Sequence, residues 1–152
     1  VFVDCEVNTV VATASELALS VVQLHGREDR DYVAALRAKL AKDVLIWKAL
    51  RVDGSIPDLT FEGVDGALLD KYSATSDGGT GQSFDWSLLH GRDLSQVIMS
   101  AGLHASNVAA ADELGALALD VSSGVEDAPG IKSSQKLNQF FSEIRKNRRS
   151  NP

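Results

Sequence analysis

The chain has 152 residues, enough for a compact domain with a sizeable core. A hydrophobic fraction of 44% and a charged fraction of 24% belong to an ordinary globular protein and exclude a disordered one. The net charge of −6 argues against nucleic-acid binding, the single Cys5 excludes an intrachain disulfide, and no apolar run reaches the roughly 18 residues of a membrane span, so a cytoplasmic protein is expected.

Val1-Phe2-Val3 reads as a short strand rather than the start of a secretory leader. A helical pattern follows over Asn8 to Leu19, with Val11, Ala14 and Ala18 on one face. Val21-Val22-Gln23-Leu24 is the next strand. Asp29 to Leu40 is a helix with Tyr32, Val33, Leu36 and Leu40 on its apolar side. Val44-Leu45-Ile46-Trp47 is a strand, and the segment after it is weakly patterned, with Pro57 and only Leu59 and Phe61 as anchors. Gly66-Ala67-Leu68-Leu69 is a strand leading into a long polar loop, Lys71 to Gln82, which suits a lid or a plain surface loop. A short helix over Phe84 to Leu89, a strand at Val97-Ile98-Met99 and a helix over Ala105 to Leu114 come next. The last pair is the strand Leu117 to Val121 and the helix Ser134 to Arg145, which carries Leu137, Phe140, Phe141 and Ile144. One domain over residues 1–146 is expected, with residues 147–152 as a loose basic tail. The run Arg145, Lys146, Arg148 and Arg149 reads as a solvated helix end, which suits the helix dipole.

The strands are nearly continuous in apolar residues, the mark of parallel strands buried on both faces. Six β/α units alternate without a hairpin signal, which means a doubly wound sheet or a barrel. Small and polar residues cluster after the strand ends, at His25-Gly26, Asp77 to Gly81, Ala101-Gly102 and Ser122-Ser123-Gly124. In both architectures function sits at the C-terminal ends of the strands.

Four motifs occupy those ends: Val22-Gln23-Leu24-His25-Gly26; Leu69-Asp70 with Gly78 to Trp86; Ser100-Ala101-Gly102-Leu103 with Asn107-Val108; and Leu119 to Glu126 with Pro129-Gly130-Ile131-Lys132. In this order they resemble phosphoribosylanthranilate isomerase, an enzyme of tryptophan biosynthesis. Ile46-Trp47-Lys48-Ala49-Leu50 and Phe84 to Leu89 look most like the form fused behind indoleglycerol-phosphate synthase. The resemblance implies a (β/α)8 TIM barrel, with units three to eight in this chain and the first two absent. It implies a cofactor-free and metal-free Amadori rearrangement of N-(5-phosphoribosyl)anthranilate to 1-(2-carboxyphenylamino)-1-deoxyribulose 5-phosphate. The implied partners are a small phosphorylated substrate, a fused upstream synthase domain or a complementing N-terminal segment, and neither nucleic acid nor membrane.

By the same resemblance, Asp70 is the general acid that protonates the ribose ring oxygen. Its residue-level alternative is an Asp that caps a turn. Gln23, His25 and Asp120 are expected to touch substrate, with structural hydrogen bonding as the competing role of His25 and loop orientation as that of Asp120. Backbone N–H groups of Ala101, Gly102, Ser122, Ser123 and Gly124 are expected to hold the phosphate. The family has two glycines where this chain has Ala101-Gly102. The family's base is a cysteine in a Cys-Gly motif at the end of the first strand, and Cys5 does not match it, so little activity is expected from this chain alone. Lys48 is read either as a cation facing substrate or as half of an ion pair with a carboxylate of a neighbouring strand. His90 and His104 read as surface residues, and Trp47 and Trp86 as packing residues. The alternatives are another phosphate-binding barrel enzyme such as indoleglycerol-phosphate synthase, or a non-catalytic fragment that associates with a partner.

Overall fold

The computed structural model describes residues 1–71, 84–100 and 102–150. These fall into two compact units, Val1–Leu50 with Pro57–Leu68, and Arg51–Ile56 with Leu69–Pro152. Both are α/β, with parallel strands and helices in alternation.

In the first unit the opening strand is reduced to one parallel bridge between Phe2 and Leu24. Phe2 N–H donates to the Gln23 carbonyl and His25 N–H to the Phe2 carbonyl, each at 2.8 Å. Helix α1 (Val7–Glu16) leads to β1 (Val21–Leu24), α2 (Arg30–Lys39) and β2 (Leu45–Val52). β1 lies parallel to β2, with Val22 opposite Ile46, Gln23 opposite Trp47 and Leu24 opposite Lys48. Side chains alternate along a strand, so Val22, Leu24 and Ile46 share one face and Gln23 and Trp47 the other. The first face is core: it packs with Val10 and Ala14 of α1 and Val33 and Leu36 of α2. Each of the Val, Leu and Ile side chains contributes about 1.5–3 kcal/mol when fully buried.

Helix α2 starts where Asp29 accepts the Tyr32 N–H at 2.9 Å, an N-cap that satisfies an otherwise orphan donor. Helix α1 stops earlier than its sequence pattern suggests, and Ala18 is exposed at φ 48° instead of joining the apolar face. The Leu19 N–H reaches back to the Ala14 carbonyl at 2.9 Å, and this left-handed closure turns the chain toward β1. No helix forms between β2 and β3 (Gly66–Lys71). Instead Asp65 ties the segment down, accepting from Arg37 and, at 2.8 Å, from Ile46 N–H.

In the second unit the Ser100 N–H donates to the Leu69 carbonyl at 3.1 Å, setting β4 (Val97–Met99) beside the end of β3. β4 pairs in parallel with β5 (Ala118–Leu119), Ile98 opposite Ala118 and Met99 opposite Leu119. A single 3-10 turn, Trp86–Leu89, stands where a short helix was expected. Helix α3 (Val108–Glu113) starts later than the pattern suggested. A two-stranded antiparallel hairpin, β6 (Glu126–Ala128) with β7 (Ile131–Lys132), interrupts the strict β/α alternation that the sequence led us to expect. Its turn contains Pro129-Gly130, with Gly130 at φ 78°, a conformation glycine adopts without strain.

Helix α4 (Ser134–Ser150) runs past the boundary expected at Lys146. Asn147 donates to the Ala109 carbonyl at 3.3 Å, and Arg148 grips both carboxylate oxygens of Asp112. The segment read as a loose tail is therefore helix as far as Ser150, docked on α3. Among the described residues no helix is long and apolar enough to cross a membrane.

Candidate active site

At the C-terminal end of β1, Gln23 and His25 point to the face opposite the apolar core. Both are half-buried, and Gln23 Nε2 lies 3.0 Å from His25 Nδ1. Beside them is a knot of charged groups. Glu28 is buried, and its two carboxylate oxygens accept the Asp4 and Gly26 N–H groups at 2.9 Å. The buried Lys48 ammonium donates to the same carboxylate at 3.0 Å and to the Gly26 carbonyl at 2.8 Å. Lys48 lies opposite Leu24 in the register, away from the face of Gln23 and Trp47. Of the two readings of Lys48, the structure has the ion pair, and its partner comes from a loop rather than a neighbouring strand.

The loop after the Phe2 bridge joins the same knot. Asp4, at φ 49°, accepts the Arg27 N–H at 2.6 Å and its Nε–H at 3.1 Å. The Arg27 backbone N–H is the chief cause holding the Asp4 carboxyl below the ordinary range. Gly26 has to be glycine here, because a Cβ would lie 2.4 Å from Asp4 Oδ1 and 2.7 Å from Asp4 N. The Cys5 thiol donates to the Val3 carbonyl at 3.5 Å, and the Tyr32 hydroxyl donates to the Cys5 carbonyl at 2.6 Å. Burial pushes the Tyr32 hydroxyl above its usual range.

In the second unit Asp70 is the penultimate residue of β3, half-buried, with Oδ1 accepting the Lys71 N–H at 2.8 Å. Asp120 follows β5. Its N–H donates to the Met99 carbonyl at 2.8 Å and its Oδ2 accepts the Ser100 hydroxyl at 2.9 Å. Two loops meet above this pair. The first carries Gly102, at φ 61°, whose carbonyl accepts from Asn107 Nδ2 at 2.9 Å. Asn107 Oδ1 accepts the His104 N–H at 2.8 Å, so this side chain braces the loop before α3 instead of capping the helix forward. The second loop is Ser122-Ser123-Gly124. A Cβ on Gly124 would sit 1.8 Å from the Leu103 carbonyl oxygen, so the two backbones pass in direct contact. Lys132 of the hairpin holds the second loop from below, donating to the Ser122 carbonyl at 3.0 Å and to Glu126 at 2.6 Å. Lys132, and after it the Gly130 N–H, keep the Glu126 carboxyl below its ordinary range.

Ala101 and the greater part of the loop read as a lid lie outside the described residues. His90 and His104 are exposed, as expected. The indole N–H groups of Trp47 and Trp86 are buried without a hydrogen-bond partner among the described residues. Glu28, Ser100 as the support of Asp120, and Lys132 as the brace of Ser122 were not picked out as site residues from the sequence. Glu28 sits among Arg27, Asp29 and Arg30 and reads there as ordinary helix-start charge. Among the described residues no group of three histidine, cysteine or acidic side chains is placed to hold a metal ion.

The family model for N-(5'-phosphoribosyl)anthranilate isomerase matches residues 1–143. The chain belongs to this family. It is 45% identical over 145 residues to the tryptophan biosynthesis protein TrpCF of Yersinia pestis, covering 95% of this chain and 30% of that protein. It thus spans about a third of the curated relatives it matches. The fold is similar to the phosphoribosyl anthranilate isomerase of Thermus thermophilus, with a TM-score of 0.78 at 29% identity over 95% of this chain and 70% of that one. It is also similar to a phosphoribosyl anthranilate isomerase solved with reduced 1-(o-carboxyphenylamino)-1-deoxyribulose 5-phosphate, with a TM-score of 0.72 at 29% identity over 95% and 69% of the two chains. The family is that of the isomerase, not of the synthase considered beside it.

Proposed function

We propose that these residues form the larger part of a phosphoribosylanthranilate isomerase, and that they correspond to units three to eight of its barrel. The Phe2 bridge and β1 to β5 supply six strand positions in chain order, which supports that count. The curated relatives are about three times as long, which supports a fused indoleglycerol-phosphate synthase in the same polypeptide.

The observation that carries the reading is the backbone contact at Gly124. The backbones of two loops, 102–103 with Gly102 and 122–124 with Ser122-Ser123-Gly124, lie in direct contact at Leu103 and Gly124, in the same unit as the Ser100–Asp120 pair. Main-chain N–H groups on such small-residue loops can approach a phosphate closely and need no cation. In the proposed roles Gly102, Ser122, Ser123 and Gly124, with Ala101, take the phosphate. Asp120, steadied by Ser100, takes a sugar hydroxyl, and Gln23 and His25 take another part of the substrate.

The chemistry needs neither oxidant nor metal. A proton passes from Asp70 to the ribose ring oxygen as the bond from that oxygen to the first sugar carbon breaks, and the amine lone pair forms a C=N bond. A base then removes the proton from the second carbon. The resulting enaminol becomes the ketone, so the first carbon is reduced as the second is oxidised. The base of the family is a cysteine in a Cys-Gly motif, which these 152 residues do not contain.

The test is isomerase activity of the native polypeptide carrying these residues. Replacing Asp70 by Asn should lower kcat by about 100- to 10,000-fold with little change in KM. An unchanged kcat would remove Asp70 from the mechanism. The 152-residue chain alone should be close to inactive and should gain activity with a peptide supplying the family's first two units. Full activity of the lone chain would overturn the assignment of the base.

A further inference from the structure

We infer that Glu28 and Lys48 are positioning residues for Gln23 and His25: the buried pair holds the backbone at the end of β1 in the conformation from which those two side chains meet substrate. The inference rests on the proposed isomerase function for what the side chains meet. Glu28 and Lys48 are each 5% exposed. A buried ion pair adds little net stability over apolar residues of like volume, because the loss of hydration offsets the attraction. Apolar residues cannot bond to main chain, however, and this pair does so at Asp4 and Gly26. Glu28 Oε1 accepts the Asp4 N–H and Glu28 Oε2 the Gly26 N–H, each at 2.9 Å. The Lys48 ammonium donates to the Gly26 carbonyl at 2.8 Å and lies 3.0 Å from Glu28 Oε2.

The placing of these bonds decides which side chain they serve. The His25 N–H donates to the Phe2 carbonyl at 2.8 Å, which fixes the peptide before the His25 Cα. The peptide after that Cα carries the Gly26 N–H, and because a peptide is planar, the bond to Glu28 fixes the whole of it. The His25 Cα is anchored on both sides, so the direction of its Cβ is set by main chain. The Gln23 carbonyl accepts the Phe2 N–H, and Glu28 grips the Asp4 N–H further along that same segment. One carboxylate thus ties the segment that flanks β1 to the turn that ends it. Lys48, opposite Leu24 in the register, joins β2 to the same knot. Removing the pair frees the His25–Gly26 peptide to rotate, while Val22, Leu24 and Ile46 keep their apolar packing.

The test uses the native polypeptide carrying these residues. Lys48→Met with Glu28→Leu should keep much of the parent's stability and bind reduced 1-(o-carboxyphenylamino)-1-deoxyribulose 5-phosphate about tenfold more weakly, the equivalent of one hydrogen bond. Inhibition by inorganic phosphate should not change, because the loops proposed to hold phosphate belong to the second unit. Arg37→Met is the control: it gives up the bonds to the Val44 carbonyl and to Asp65, and should lower stability while leaving both affinities as they were. Glu28→Gln keeps the volume and gives up one acceptor oxygen; it should weaken binding of the compound in the same direction, and it serves where the double variant does not fold. Parent-like affinity for the compound in a folded variant would overturn the inference. So would an equal loss of affinity for the compound and for phosphate, or the same loss in Arg37→Met. If the unmutated polypeptide binds neither compound nor phosphate, the isomerase reading itself fails and takes the inference with it.

Discussion

The strand ends of the two units are held in opposite ways. In the first, side-chain charges do the holding: one buried carboxylate, Glu28, gathers the Asp4 and Gly26 N–H groups and the Lys48 ammonium. In the second, main chain lies directly on main chain at Gly124, and the charged group, Lys132, stands below in the hairpin. A rim made of ion pairs keeps its shape but leaves few donors unspent. A rim made of small residues leaves N–H groups able to meet an anion. Under the proposed function, the first rim would position polar side chains and the second would receive phosphate.

The comparison breaks most sharply at Lys48. Lys48→Met leaves Glu28 buried without its cation and should cost about 3–5 kcal/mol. The pair Lys48→Met with Glu28→Leu should recover much of that loss, measured by denaturant midpoint, if the ion pair rather than packing is the main term. A double variant no better than the single one would show that the bonds from Asp4 and Gly26 matter more. Next is Gly124→Ala, where the backbones must separate; a loss of about 2–3 kcal/mol is expected, with phosphate affinity falling further than stability does. Gly130→Ala gives the control, because nothing lies near its Cβ and only the positive φ is strained, at about 1–2 kcal/mol. If the two glycine variants lose the same stability, backbone contact is not what holds the second rim.

The smallest effect concerns α4. Arg148, by its hydrogen bonds, holds the Asp112 carboxyl below its ordinary range. A carboxyl whose folded pKa is depressed stabilises the fold above its unfolded value and loses that contribution as pH falls through the folded one. Arg148→Met should therefore be slightly less stable than the parent near neutrality, and the gap should close below about pH 4. A gap that does not change with pH would make the contact one of packing.

The sequence carries some of this plainly and some not at all. Val21–Leu24 and Val97–Met99 were legible to the residue because buried parallel strands need uninterrupted apolar side chains. The end of α1 was not, because apolar Leu17, Ala18 and Leu19 continue the pattern while the chain has already turned. The hairpin was not read either: its strands, Glu126–Ala128 and Ile131–Lys132, are too short and polar to stand out as apolar runs, although Pro129-Gly130 is a turn dipeptide. Candidate residues with a motif of their own, such as Asp70, Asp120 and Gly124, could be proposed from the sequence. Glu28 and Ser100 could not. Their importance comes from partners twenty or more residues away, Asp4, Lys48 and Asp120, which no local rule of charge or propensity connects.

The Glu28 carboxylate also has a consequence for motion. Amide hydrogens in loops usually exchange quickly. The Asp4 and Gly26 amides share one buried acceptor, so neither can reach solvent without baring a charge that the other two groups also hold. Their exchange with deuterium should be slow and nearly equal, through one opening event, although they lie more than twenty residues apart.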